Sequence, residues 1–194
     1  NQMFVAGVFD RVYEIGPVFR AEKSNTTRHL TEFTGVDFEM GFIHDYTDVM
    51  DMIEKMMIDL IKNLPHEAAS ELKLLGVAHT LPPKIPRITM AEAKKLLQEK
   101  GKKYADDEDL DPEGEKFLGD IIKEKFKSEF VFVTEFPWKV RPFYHMKPEG
   151  KKNLTKSFDL LFNGVEIATG AQREHRYEIL KAQAKEKGLD LDQM

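Results

Sequence analysis

Cysteine is absent from this 194-residue chain, which excludes disulfides and thiolate metal sites and allows a reducing compartment. An excess of positive charge is also missing. Lysine and arginine number 29 against 34 aspartates and glutamates, a net charge of −5. A global positive field for non-specific nucleic-acid binding is therefore excluded, and any RNA contact has to be local. No apolar run approaches the roughly 20 residues needed to span a bilayer. No signal peptide is visible, no membrane association is expected, and a cytoplasmic location is. Internal repeats and low-complexity segments are absent too. The sequence opens without an initiator methionine, on Asn1-Gln2-Met3, and is expected to be a piece of a longer protein. What remains is a soluble, acidic, highly charged chain long enough to bury one core.

The densest chemistry lies in residues 17–42. An apolar run ends on Arg20 and Glu22, a polar loop follows, and Arg28 and His29 stand at its far side. From Gly35 to Phe42 the sequence alternates. Val36, Phe38, Met40 and Phe42 fall on one strand face, and Gly35, Asp37, Glu39 and Gly41 on the other,. Glycines on a polar sheet face let a ligand lie flat against the backbone. Arginines at the tip of such a hairpin suit phosphate or carboxylate oxygens, because the guanidinium fork matches them.

This arrangement resembles motif two of the class II aminoacyl-tRNA synthetases, Phe-Arg-x-Glu, a loop, then an aromatic and an acidic residue on the return strand. Here those are Phe19, Arg20, Glu22, then Arg28, His29, Phe33 and Asp37. The wider wording is similar to aspartyl-tRNA synthetases of the archaeal and eukaryotic kind. The resemblance implies that Arg20 bridges the ATP α-phosphate and the substrate carboxylate and is the catalytic residue. It further implies that Glu22 holds the adenine amino group, Phe33 stacks on the ring, and Arg28, His29 and Leu30 complete the ATP site. The loop at 23–27 would approach the tRNA acceptor end.

Elsewhere the periodicity predicts a short buried helix at 2–9 and strands near 12–21 and 33–43. A helix is expected from Asp45 to Asn63, buried through Val49, Ile53, Met56, Met57, Leu60, Ile61 and Leu64 and ended by Pro65. Pro82, Pro83 and Pro86 mark a crossing segment. A helix over Met90–Lys100 is closed by Gly101. The acidic run Asp106–Asp111 fails as a calcium loop. Asp111-Pro112 instead starts a helix to about Phe126, with Phe117, Leu118, Ile121 and Ile122 buried. Phe130–Val133 is a strand.

Asn163-Gly164 between apolar runs is a strong two-residue hairpin signal. The simplest register sets Phe162 opposite Val165, Leu161 opposite Glu166 and Asp159 opposite Ala168. Asp159 and Glu166 then share a face at about 7 Å between Cα atoms, a spacing suited to one divalent cation. Residues 164–173 resemble the aspartyl-tRNA synthetase segment Gly-Val-Glu-Ile-x-Ser-Gly-x-Gln-Arg. The resemblance implies that Asp159, Glu166 and Thr169 hold Mg2+ with ATP, and that Thr169 and Arg173 grip L-aspartate. Two positions depart from the family wording. Thr169 replaces the usual serine, and Asn1 stands where a lysine usually precedes Gln-Met. Among the histidines only His29 lies in a motif.

The expectation is thus an α+β fold of the class II synthetase core: an antiparallel sheet flanked by helices, with a mostly helical insertion at about 65–127 and the metal and amino-acid hairpin at 156–173. Motif one, motif three and the anticodon-binding domain are expected outside this sequence, the isolated piece is expected to be inactive, and the full-length protein to be a homodimer. The implied activity is ATP-dependent aspartate activation and transfer to tRNA. The alternatives are an asparaginyl-tRNA synthetase, an aspartate-ammonia ligase on the same core, and a silent paralogue acting as a binding module.

Overall fold

The computed structural model describes residues 1–21, 30–76 and 84–190. The chain divides into two compact units, Asn1–His44 and Asp45–Met194.

In the first unit a six-residue helix, α1 (Gln2–Gly7), precedes two long strands, β1 (Arg11–Phe19) and β2 (Glu32–Met40). The strands pair antiparallel from Arg11 opposite Met40 to Phe19 opposite Glu32. One further bond, from the Arg20 amide to the Thr31 carbonyl (2.9 Å), extends the ladder. The helix expected at 2–9 forms but is not buried: Met3 and Val8 are 88% and 75% exposed. A six-residue helix beside a two-stranded ribbon has no third layer to enter. The alternation expected from Gly35 to Phe42 stops at Met40. Phe42 lies beyond the strand at φ 55° and is exposed.

In the second unit four strands form one sheet in the order β3 (Arg87–Thr89), β4 (Phe130–Thr134), β5 (Ser157–Phe162) and β6 (Val165–Ala171). Pairs β4–β5 and β5–β6 are antiparallel, as expected, whereas β3 pairs with β4 in parallel. Residues 84–127 thus contribute a sheet edge as well as helices. One sheet face, with Val131, Val133 and Leu161, packs against α4 (Met90–Glu99) and α5 (Pro112–Phe126) through Ala93, Leu97, Leu118, Ile121 and Ile122. The other face carries Phe130, Phe132, Phe158 and Leu160, all buried. Helix α2 (Tyr46–Glu67) reaches this face with Tyr46 stacked on Phe158 at 6.5 Å. Helices therefore reach both faces of this sheet.

The starts of α2, α4 and α5 follow their caps. Asp45 accepts from the Thr47 amide, Thr89 and Glu92 form a reciprocal capping box, and Asp111 accepts from the Gly114 amide ahead of Pro112. Each satisfies amides that the first turn leaves unpaired. Pro65 does not end α2, which runs to Glu67. So close to the helix end its missing N–H removes one bond only. Met56 and Leu60 are 41% and 51% exposed, while Met50 and Glu54 are buried in their place. Glu54 accepts from the Ile85 amide (2.5 Å) and from Arg87 Nη2 (2.7 Å), tying α2 to the edge strand. Phe117 is exposed on α5, beneath the Lys102 ammonium at 4.8 Å. α3 (Ala69–Leu75) follows α2, and α6 (Tyr177–Glu186) follows β6. Pro82 and Pro83 lie outside the described residues.

Candidate active site

Antiparallel pairing sorts the first unit's side chains, because directly opposed residues share a face. One face bears Val18 with Phe33, Gly16 with Gly35, Glu14 with Asp37, and Val12 with Glu39. Arg20, one step beyond Val18, joins it and lies 5.1 Å from the Phe33 ring centroid. Two opposed glycines thus make a flat floor. At one end stands a guanidinium over an aromatic ring; at the other stand three carboxylates, Glu14, Asp37 and Glu39. A methyl group on Gly16 would meet nothing closer than Glu14 Oε1 at 4.0 Å, so the floor is open there, whereas one on Gly35 would collide with Val18 at 2.8 Å. Asn1 Nδ2 donates to Glu14 Oε2 at 3.4 Å. The opposite face, with Tyr13, Ile15 and Val36, is more than half exposed. Glu22, Arg28, His29 and the loop at 23–27 lie outside the described residues; Leu30 is exposed.

The second unit supplies the carboxylate hairpin. Asn163 and Gly164 both take positive φ (49° and 75°), as the two-residue turn requires,. Gly164 packs on Gly119 of α5, where a methyl group on either residue would strike backbone at about 2.5 Å. The expected register holds for Phe162 opposite Val165 and Leu161 opposite Glu166. It then shifts by one residue between Leu160 and Leu161, a bulge. Asp159 consequently opposes Thr169, and Ala168 moves to the other face opposite Leu160. This corrects the pairing of Asp159 with Ala168. The bulge brings the Thr169 hydroxyl to the level of the Asp159 carboxylate, with Glu166 further along the same face.

Asp159 is 5% exposed. Its Oδ2 forms a short hydrogen bond and ion pair with Arg141, and Arg141 Nη1 lies 3.4 Å from Thr169 Oγ1. Burial raises the Asp159 pKa, while Arg141 and the Thr169 hydroxyl act to lower it. Asp159 Oδ1 is buried without a hydrogen-bond partner among the described residues. An unpartnered carboxylate oxygen, a hydroxyl and a second carboxylate are hard donors, which suit magnesium accompanied by phosphate oxygens. Among the described residues no three His, Asp or Glu side chains are grouped to hold a metal unaided.

Arg173 lies just past β6, its guanidinium carbon 4.3 Å from the Tyr144 ring centroid. The strand-like bridge between His145 and Arg173 fixes this neighbourhood. Gln183 of α6 donates to the carbonyls of Phe143 (2.6 Å) and His145 (3.1 Å). Burial, then the charges of Arg141, Arg173 and Lys187, push the His145 pKa down to about 4, so its imidazole is neutral. Glu174 is held below the usual carboxylate range by its Arg176 hydrogen bond. Sequence reasoning did not single out Arg141 or Tyr144. The signal was an arginine beside proline and two aromatics, Arg141-Pro142-Phe143-Tyr144, in a stretch with no periodicity.

The family profile described as tRNA synthetases class II (D, K and N) matches residues 1–194. The chain belongs to this family. It is 46% identical over 195 residues to an aspartate–tRNA(Asp/Asn) ligase of Aeropyrum pernix, covering 99% of this chain and 44% of that protein. Its fold matches an aspartyl-tRNA synthetase of Entamoeba histolytica with a TM-score of 0.94 and 37% identity, over 100% of this chain and 41% of that one. It also matches the asparaginyl-tRNA synthetase of Pyrococcus horikoshii complexed with asparaginyl-adenylate, with a TM-score of 0.87 and 29% identity, over 98% and 44%. The chain thus spans less than half the length of these class II relatives.

Proposed function

We propose that this chain carries the adenylate-forming part of an aspartate–tRNA ligase. The observation that carries the reading is the glycine-paired floor, open at Gly16 and bordered by Val18 at Gly35, that ends in the Arg20–Phe33 contact. A flat heteroaromatic base can lie on such a floor, and the arginine at its end meets phosphate. Arg20 neutralises charge on the α-phosphate as the aspartate α-carboxylate attacks it, and pyrophosphate leaves. Glu22, Arg28, His29 and Leu30 complete the nucleotide contacts. Catalysis rests on positioning and charge neutralisation, with no protein nucleophile.

Asp159, Glu166 and Thr169 hold the magnesium, which when bound neutralises phosphate oxygens. Arg173, backed by Tyr144, takes the aspartate side-chain carboxylate as a bidentate pair, and Thr169 borders it. Activated aspartate then passes to the tRNA acceptor end at the loop 23–27. The stretch at about 65–127 is the insertion of this core, and the whole protein acts as a homodimer in the cytoplasm. One observation favours asparagine as a second reading: Asn1, in the position usually held by lysine, pairs with Glu14.

Arg173→Leu in the full-length protein should lose about tenfold to a hundredfold in aspartate-dependent pyrophosphate exchange, the scale of a hydrogen bond to a charged group, while ATP binding persists. Unchanged exchange would refute the role of Arg173.

A further inference from the structure

Arg141 sits among the residues assigned above to the cation, and neither the family wording nor the hairpin pattern pointed to it. Its side chain is 13% exposed and that of Asp159 is 8% exposed. Its guanidinium carbon lies 3.7 Å from the Phe136 ring centroid, so the group is packed as well as paired. Nη2 occupies Asp159 Oδ2 and Nη1 lies at Thr169 Oγ1. One arginine therefore touches two of the three proposed cation ligands. Its own Nε is buried without a partner among the described residues, as is Asp159 Oδ1.

A buried carboxylate needs a counter-charge, and removing one partner of a buried pair leaves the other uncompensated. A divalent cation bound by this carboxylate would stand within a few ångströms of the guanidinium, where like charges oppose each other strongly and solvent screens little. We propose that Arg141 and the divalent cation are alternative counter-charges for Asp159. The resident arginine holds the carboxylate in place and weakens binding of the cation alone. A cation that brings an anionic ligand supplies the released guanidinium with a new partner, so cation and phosphate bind together better than either does singly. This inference rests on the assignment of the cation to Asp159, Glu166 and Thr169.

The test is direct Mn2+ binding to the full-length protein without nucleotide, followed by electron paramagnetic resonance of free Mn2+. Arg141→Met should tighten Mn2+ binding by about tenfold, Arg141→Lys, which keeps the charge, should leave it near wild type, and Asp159→Asn should erase the gain in the Arg141→Met background. Added ATP should improve Mn2+ affinity more in the wild type than in Arg141→Met. Unchanged or weaker Mn2+ binding in a folded Arg141→Met protein would overturn the competition. If Glu166→Gln and Asp159→Asn both leave wild-type Mn2+ binding intact, the cation assignment itself fails, a result distinct from failure of the arginine's role.

Discussion

Replacing His145 by glutamine should remove a pH-dependent part of the protein's stability. His145 is 7% exposed, and its Nδ1 has no hydrogen-bond partner among the described residues. Arg141, Arg173 and Lys187 face it with positive charge, so burial and repulsion together push its pKa from 6.5 down to about 4. The unfolded chain therefore binds a proton that the folded chain refuses between about pH 6.5 and pH 4. Stability is fully present above the unfolded value, near pH 6.5, and is lost as pH falls toward 4. At about 1.4 kcal/mol per tenfold the full effect is about 3 kcal/mol, and solvent screening trims it to about 2–3 kcal/mol. Urea unfolding of the wild type and His145→Gln at several values from pH 4 to pH 7.5 measures it. The stability difference between the two should shift toward the wild type by about 2–3 kcal/mol over that range. A difference that stays constant with pH would refute the neutral, enclosed imidazole.

Three further outcomes follow from named contacts. Gly16→Val should keep or slightly raise thermal stability, because the site is open and valine suits a strand, yet weaken ATP binding by about tenfold or more, about 1.4 kcal/mol; thermal melting checks the first and calorimetric titration with ATP the second, and unimpaired binding would remove the glycine floor from the nucleotide site. Glu54→Gln should destabilise the protein by about 1.5–3 kcal/mol, since among the described residues Arg87 would keep only the more exposed Asp51 as an anionic partner; an unfolding midpoint unchanged from wild type would contradict that. Gly119→Ala should cost more than about 1 kcal/mol through its contact with the Gly164 backbone,, read as a lowered melting temperature, and a neutral result would contradict the close approach.

Local chemistry was the most legible part of the sequence. Asp111-Pro112, Gly101 and Asn163-Gly164 each announced an element boundary through caps and turn geometry, and each stands where expected. Register near the turn was equally legible, but a turn fixes only the pairs beside it. The one-residue shift between Leu160 and Leu161 lies beyond that reach, and it decides that Thr169 rather than Ala168 faces Asp159. Arg141 was hidden for a related reason. It sits in a segment without periodicity, 18 residues from Asp159, and irregular backbone carries no face to read. Burial failed where tertiary neighbours decide it. Met56, Leu60 and Phe117 have helical spacing yet remain exposed, while Glu54 is buried because the Ile85 amide and Arg87 satisfy both its oxygens. The parallel partner of β4 was missed because three residues, Arg87–Thr89, are too few to show a period.

Amino-acid-dependent ATP–pyrophosphate exchange by the full-length protein, run with aspartate and with asparagine as separate substrates, tests the central claim most directly. On the proposed assignment a carboxylate ligand would gain two charged hydrogen bonds from Arg173, whereas an amide would offer one acceptor and set its donor against the guanidinium. Exchange should therefore run at least about tenfold faster at limiting aspartate than at limiting asparagine, the effect of losing one charged bond. A preference for asparagine would contradict the aspartate assignment of Arg173, and no exchange with either would contradict adenylate formation altogether.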